Sequence, residues 1–257
     1  MCKKKYPIIS DVDDEKLDAC CLTEYHPLPG IPQGQIIKIT EINTYLTLGT
    51  DSPSKNKAIV LLTDVFDLFS GDPIASSVLE NVPQNPGEKM CISTKIRLAG
   101  KFLTSFAPWL FRHRQAVTLP IVEKFFKALR SEKGVTRIQA VGYCFGGLYA
   151  LLVGNGELHL ADVIVGCHVS LVNKTHFEQL QVPAAFVCAQ EDNQFTDALR
   201  SEAEKILARK LDISSKFLLT EGTVHGFAAR PDPNNPVIMK AFTQANNFIV
   251  EWAKAYL

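Results

Sequence analysis

Val141-Gly142-Tyr143-Cys144-Phe145-Gly146-Gly147 is the stretch on which the reading of this chain turns. An apolar, β-like run from Arg137 to Val141 enters it, and a small-residue helical run from Gly146 to Val153 leaves it. That is the strand, sharp turn and helix of a G-x-S-x-G nucleophile elbow, with cysteine in the serine position. Gly142 and Gly146 flank Cys144 because such a turn leaves no room for Cβ atoms. The turn lifts the Cys144 side chain clear of the backbone. It also aims the Phe145 amide and the start of the next helix at the same spot, which favours a developing negative charge.

Two further pieces follow in chain order. The apolar run Ala184-Ala185-Phe186-Val187-Cys188-Ala189 reads as a buried strand and ends in Gln190-Glu191-Asp192-Asn193. The run Lys216-Phe217-Leu218-Leu219 leads into Glu221-Gly222-Thr223-Val224-His225-Gly226-Phe227. An acid and a histidine thus each sit just past a predicted strand, where open parallel sheets keep their sites. Spacing leaves Glu191 and Asp192 both open as the acid, and Asp192 lies further into the loop.

These residues resemble the dienelactone hydrolase family. The matching features are Gly-Tyr-Cys-Phe-Gly-Gly at 142–147, Gln-Glu-Asp at 190–192 and Val-His-Gly-Phe-Ala-Ala-Arg-Pro-Asp-Pro at 224–233. Thr-Asp-Val-Phe-Asp-Leu-Phe-Ser-Gly-Asp-Pro at 63–73 and the adjacent Cys20 and Cys21 also fit. The resemblance implies an α/β-hydrolase fold, a mainly parallel sheet flanked by helices. It implies Cys144 as nucleophile, Asp192 as orienting acid and His225 as base, with the Phe145 and Val65 amides forming the oxyanion hole. It sets Asp64 near the resting thiol, where it is also read as a substrate contact. Because the family's lactones carry a carboxylate, it also suggests a cation in the pocket; Arg230, Arg97, Arg112 and Arg114 are candidates. Trp109, Phe106 and Phe111 are read as core beneath a lid helix in preference to pocket wall. His113 and His168 have no nameable partners and are read as structural or exposed.

One departure from the family pattern stands out. Asp64-Val65-Phe66 runs directly into Asp67-Leu68-Phe69-Ser70-Gly71-Asp72-Pro73, where family members place a helix and a strand between these segments. About 25 residues, one helix–strand unit, are absent after Phe66. The strand of that unit would lie beside the one carrying the oxyanion loop, so its loss would leave unpaired backbone groups and uncovered core.

Composition fits an ordinary globular enzyme. The chain has 257 residues, 46% hydrophobic and 21% charged, long enough for one large α/β core. Lysine plus arginine and aspartate plus glutamate both number 27, so no net charge draws the chain to nucleic acid or acidic membranes. Seven cysteines form no paired framework and no C-x-x-C, and Cys167 and Cys188 read as reduced core residues. Met1-Cys2-Lys3-Lys4-Lys5 lacks a following apolar signal region, and no run of 18 apolar residues occurs, which points to the cytoplasm.

Residues 1–34 read as an N-terminal arm and 35–257 as a single α/β-hydrolase domain. A first hairpin is expected over 34–48, a buried strand over 57–63 and an amphipathic helix over 118–131. Alternating strands and helices then run to the end, as a parallel sheet requires. The expected activity is hydrolysis of a small carboxylic ester or enol-lactone by a Cys-His-Asp triad, with no metal or organic cofactor. A catalytically impaired relative serving as a binding or regulatory protein is the alternative. A cysteine peptidase or thiol redox protein is the weakest reading.

Overall fold

The computed structural model describes residues 33–49, 56–64, 86–87, 92–93, 96, 100 and 107–257. The expected arm up to residue 32, Val65, the Phe66 junction, Arg97 and Phe106 lie outside the described residues.

The first described elements are an antiparallel hairpin, β1 (Gln35–Ile39) and β2 (Ile42–Leu46), turning at Thr40. The remaining strands are β3 (Lys57–Leu62), β4 (Arg137–Tyr143), β5 (Val163–Cys167), β6 (Ala184–Glu191) and β7 (Ser215–Val224). They form one sheet in the order β3-β4-β5-β6-β7, every pair parallel. Six helices are described in and beside it: α1 (Ala107–Arg112), α2 (Gln115–Ser131), α3 (Phe145–Val153), α4 (Lys174–Glu178), α5 (Asp197–Ala208) and α6 (Pro236–Tyr256).

The strand sequences explain why the sheet is covered on both sides. In β4, Ile138 and Ala140 face one cluster, with Phe126 and Leu129 of α2, Leu151 of α3 and Leu207 of α5. Val141 of the same strand faces the other, with Ala241, Ala245, Phe248 and Trp252 of α6. Near-continuous apolar runs are the signature of parallel strands buried on both faces. Helix α3 is buried at every position from Phe145 to Val153, as a helix apolar all round must be. It packs behind the elbow and leaves no polar face to solvate.

Strand β3 differs. It is an edge of the five-stranded sheet, and among the described residues no strand pairs with its free side or joins the β1–β2 hairpin to it. Its Ile59 and Leu61 are 47% and 59% exposed. An edge strand of this kind carries unpaired backbone groups and apolar surface that the opposite strands do not.

Several expectations shift in detail. Helix α2 begins at Gln115 instead of Thr118, so Pro120 falls inside it, past the first turn, and removes one i→i−4 hydrogen bond. Strand β7 continues past the apolar run Lys216–Leu219 to Val224, because a register shift between Ala189 and Glu191 lets the pairing resume at Glu191 and Val224. The short helix α4 is capped by Asn173, whose side chain accepts from the Thr175 amide, a local signal too short for periodicity to reveal. Trp109 is core, 4% exposed, whereas Phe111 is 68% exposed, with the Arg114 guanidinium over its ring. Phe111 points away from the Trp109 face of a helix just six residues long, which can bury only one side.

Candidate active site

All five parallel strands deliver a residue to one end of the sheet. Asp64 follows β3, Cys144 follows β4, His168 and Ser170 follow β5, Asp192 follows β6, and His225 follows β7. Sites gather at this carboxyl edge because the loops there are free of the packing that fixes the strands.

Cys144 has φ 49° and ψ −110°, a conformation that L-residues seldom adopt. Two glycines make it possible. A Cβ on Gly142 would collide with the carbonyl of Gly146, and one on Gly146 with the carbonyl oxygen of Leu62. The turn is fixed by backbone bonds on both sides. The Cys144 amide donates to Cys167 O at 3.0 Å, the Ser170 amide to Cys144 O at 3.1 Å, and the Gly146 amide to Thr63 O at 3.1 Å. The last bond brings the end of β3, and Asp64 with it, to the start of α3.

Asp192 presents both carboxylate oxygens to Nδ1 of His225, each at 2.9 Å. Its Oδ1 also accepts from the Gln194 and Phe195 amides at 2.8 and 3.0 Å, an Asx turn that fixes the carboxylate. That side chain is only 2% exposed. Burial raises its pKa, but the His225 bond and charge and the two amides outweigh burial and leave it lowered. Glu191, the other acid of the loop, turns away and accepts from the Gly87 amide at 2.9 Å.

His225 sits where β7 ends, and Gly226 at φ 97° turns the chain sharply behind it. Burial pulls its imidazole down, but the Asp192 bond and the nearby Cys144 outweigh burial and raise it to about 10. The Cys144 thiol shows the converse. Burial pushes it up, and His225, Ser170 and the Phe145 amide together bring it below its ordinary value. Cys144 and His225 thus shift one another, although Nε2 of His225 forms no hydrogen bond among the described residues. The sulfur's formed bond is to Ser170 Oγ, at 3.5 Å.

Asp64 and Arg230, both expected near the substrate, are ion-paired with each other. The Asp64 side chain is fully buried and that of Arg230 is 21% exposed. Burial lowers the Arg230 guanidinium to about 10. Arg112 and Arg114 are exposed, and Arg114 donates to Phe111 O at 2.7 Å. His113, also expected to be partnerless, stacks on Trp109 at 4.3 Å.

The dienelactone hydrolase family model matches residues 109–257, more than half of the chain, including Cys144, Asp192 and His225. The chain belongs to the dienelactone hydrolase family. It is thereby a hydrolase. Hydrolase tropI of Talaromyces stipitatus is 28% identical over 259 residues, covering 93% of this chain and 96% of that protein. Hydrolase pyvD of Aspergillus violaceofuscus is 27% identical, covering 89% and 92%. Dienlactone hydrolase 1 of Gibberella moniliformis is 24% identical, covering 97% and 99%. Among solved structures, a putative dienelactone hydrolase from Klebsiella pneumoniae superposes with a TM-score of 0.57 at 14% identity, over 87% of this chain and 98% of that one. The five-stranded parallel sheet and its flanking helices are those of an α/β-hydrolase.

Within this family frame, two site residues escaped the sequence reading. His168 is fully buried, its ring 5.0 Å from that of His225 at 70°. Ser170 is 5% exposed and bonded to the Cys144 sulfur. Both follow the apolar run Val163–Cys167, so a rule that inspects polar residues just past each buried strand would have flagged them. Among the described residues, no group of three histidine, cysteine or carboxylate side chains is arranged to hold a metal ion.

Proposed function

We propose that this hydrolase cleaves carboxylic esters or enol-lactones through a covalent cysteine mechanism. The observation that carries the proposal is a cysteine at φ 49° at the N-cap of a buried helix, beside a histidine held by a buried aspartate. The Cys144 proton passes to Nε2 of His225, and Asp192 stabilises the imidazolium. The thiolate attacks the ester carbonyl, and the oxyanion is held by the Phe145 amide with the Val65 amide as second donor. Collapse expels the alcohol, or opens the lactone ring, with the His225 proton. His225 then activates water to hydrolyse the thioester and regenerate the thiol. A thiolate favours activated esters and enol-lactones, whose leaving groups depart readily. We also infer that Asp64 and Arg230 contact substrate; a carboxylate-bearing lactone would then compete with Asp64 for the guanidinium.

The free, buried Cys144, Cys167 and Cys188 support a reducing, cytoplasmic setting. No helix among the described residues is long and apolar enough to cross a membrane.

The alternative, a catalytically impaired relative, is favoured by one observation: the exposed apolar edge at β3, the strand that leads into the oxyanion loop. Turnover of chromogenic short-chain esters and enol-lactones by the wild type and Cys144→Ala, both checked by circular dichroism, decides between them. Turnover lost in the variant supports the enzyme. A folded wild type without turnover supports the impaired relative.

A further inference from the structure

The loop after β5 is built tightly against the elbow. Its backbone is tied to Cys144 twice, from Cys167 O and through the Ser170 amide. It is strained at two non-glycine residues, His168 at φ 36° and Leu171 at φ 60°. Strain of this kind costs of order 1–3 kcal/mol per residue and persists only where surrounding contacts over-determine it. Between the two strained residues the loop presents one side chain to the sulfur, Ser170, whose hydroxyl is buried and lies 3.5 Å from Sγ. A buried hydroxyl needs a partner, and a residue that merely filled this space would carry none.

We propose that Ser170 is a positioning residue for Cys144: its O–H donates to the thiolate and holds the sulfur at the elbow while His225 takes the proton. The proposal rests on the reading of Cys144 as nucleophile. In the ionisation step the S–H bond breaks, its proton moves to Nε2 of His225, and Ser170 keeps its own proton throughout. The other groups around the sulfur are accounted for. His225 faces it from the loop after β7, with Asp192 behind. The Phe145 amide faces it from α3. His168, on the Ser170 loop, is buried and held neutral by desolvation, and Tyr143 of β4 packs against it with its phenol kept protonated by burial. Asp64, beside the end of β3, has its charge matched by Arg230. Ser170 is therefore the neutral donor that stabilises the anion without adding a charge.

The test is the rate of Cys144 alkylation by iodoacetamide as a function of pH. It uses the full chain as wild type, Ser170→Ala and Ser170→Thr, with Cys144→Ala as background for the other thiols. Removing the hydroxyl should raise the alkylation midpoint by about one pH unit and cut ester kcat about tenfold, a hydrogen bond to a charged group being at stake. Threonine should restore both. If Ser170→Ala does not melt cooperatively, the isosteric pair Ser170→Thr and Ser170→Val carries the same comparison. An unchanged midpoint in the hydroxyl-free variant overturns the proposal. A shifted midpoint in a chain that turns over no ester upholds it and sinks the ester-and-lactone reading instead.

Discussion

The guanidinium of Arg230 meets the carboxylate of Asp64, so the histidine loop is locked to the end of β3 by a buried ion pair. Gly226 makes the lock possible. At φ 97° it reverses the chain after His225, and the Arg230 amide returns to Gly226 O at 3.0 Å. Breaking one half of a buried pair leaves the other half charged and undersolvated. Asp64→Ala should therefore destabilise the fold by about 3 kcal/mol, the low end of the usual range because Arg230 keeps some contact with water. Urea melts of Asp64→Ala, Arg230→Ala and the double variant check this. The double variant should lose less than the sum of the singles, and strict additivity would show that the pair does not couple the two segments.

Cys144→Ala should lower kcat/KM for chromogenic esters by at least about 10³-fold while leaving the thermal melt nearly unchanged. The sulfur contributes chemistry, and alanine tolerates its buried site. Retention of a tenth of the wild-type value would remove Cys144 from the mechanism.

His225→Ala should be nearly as damaging, and Asp192→Asn less so, at about 10²-fold. Glu191→Gln should be close to neutral, since its carboxylate bonds the Gly87 amide and not His225. A severe Glu191→Gln beside a neutral Asp192→Asn would reverse the choice of acid.

The elbow glycines make a sterically sharper case. Gly142→Ala drives a methyl into Gly146, whose carbonyl carbon would stand 2.5 Å away, and Gly146→Ala drives one toward Thr63 O at 2.7 Å. Backbone cannot yield as a side-chain tip can, so each change should cost at least about 3 kcal/mol. That is a large share of a typical total of about 5–15 kcal/mol. Differential scanning calorimetry would show it as a lowered melting temperature.

The steric rule also explains what the sequence disclosed. Gly142 and Gly146 announce the elbow around Cys144 because a Cβ at either would meet backbone, and the apolar runs of β4, β5 and β6 announce a sheet buried on both faces. Spacing alone leaves Asp192 and Glu191 open and the resemblance favours Asp192; which carboxylate turns toward His225 is visible only in the loop's geometry. The Asp64–Arg230 pair was equally hidden, because each residue reads as a substrate contact until the fold sets them together. Ser170 and His168 carry no motif of their own. Their role comes from the register of β5 beside β4, which a single segment of sequence does not encode.

His168 gives the remaining prediction, a pH dependence of stability. Burial holds its imidazole neutral, with a pKa lowered to about 3, and neither ring nitrogen has a hydrogen-bond partner among the described residues. In the unfolded chain the same ring titrates near its ordinary value of about 6.5. Between these values the unfolded state binds a proton that the folded state does not, so stability is greatest above about pH 6.5 and falls on acidification. For one such group the slope is about 1.4 kcal/mol per pH unit. His225 acts in the opposite sense and in another window. Its folded value of about 10 lies above the unfolded one, so its contribution is full below about pH 6.5 and is lost as pH rises toward 10. The acid limb therefore belongs to His168, with the half-buried His176 lowered by burial in the same sense, and to Asp192, whose lowered value makes its contribution disappear only at more acid pH. His168→Leu removes the titrating ring at similar size. Urea melts from pH 7 down to pH 5, above the range where Asp192 protonates, should show a wild-type slope larger than the variant's by about one proton. Equal slopes would mean that the buried ring takes up its proton in the folded state, and that the pocket beside His225 admits water.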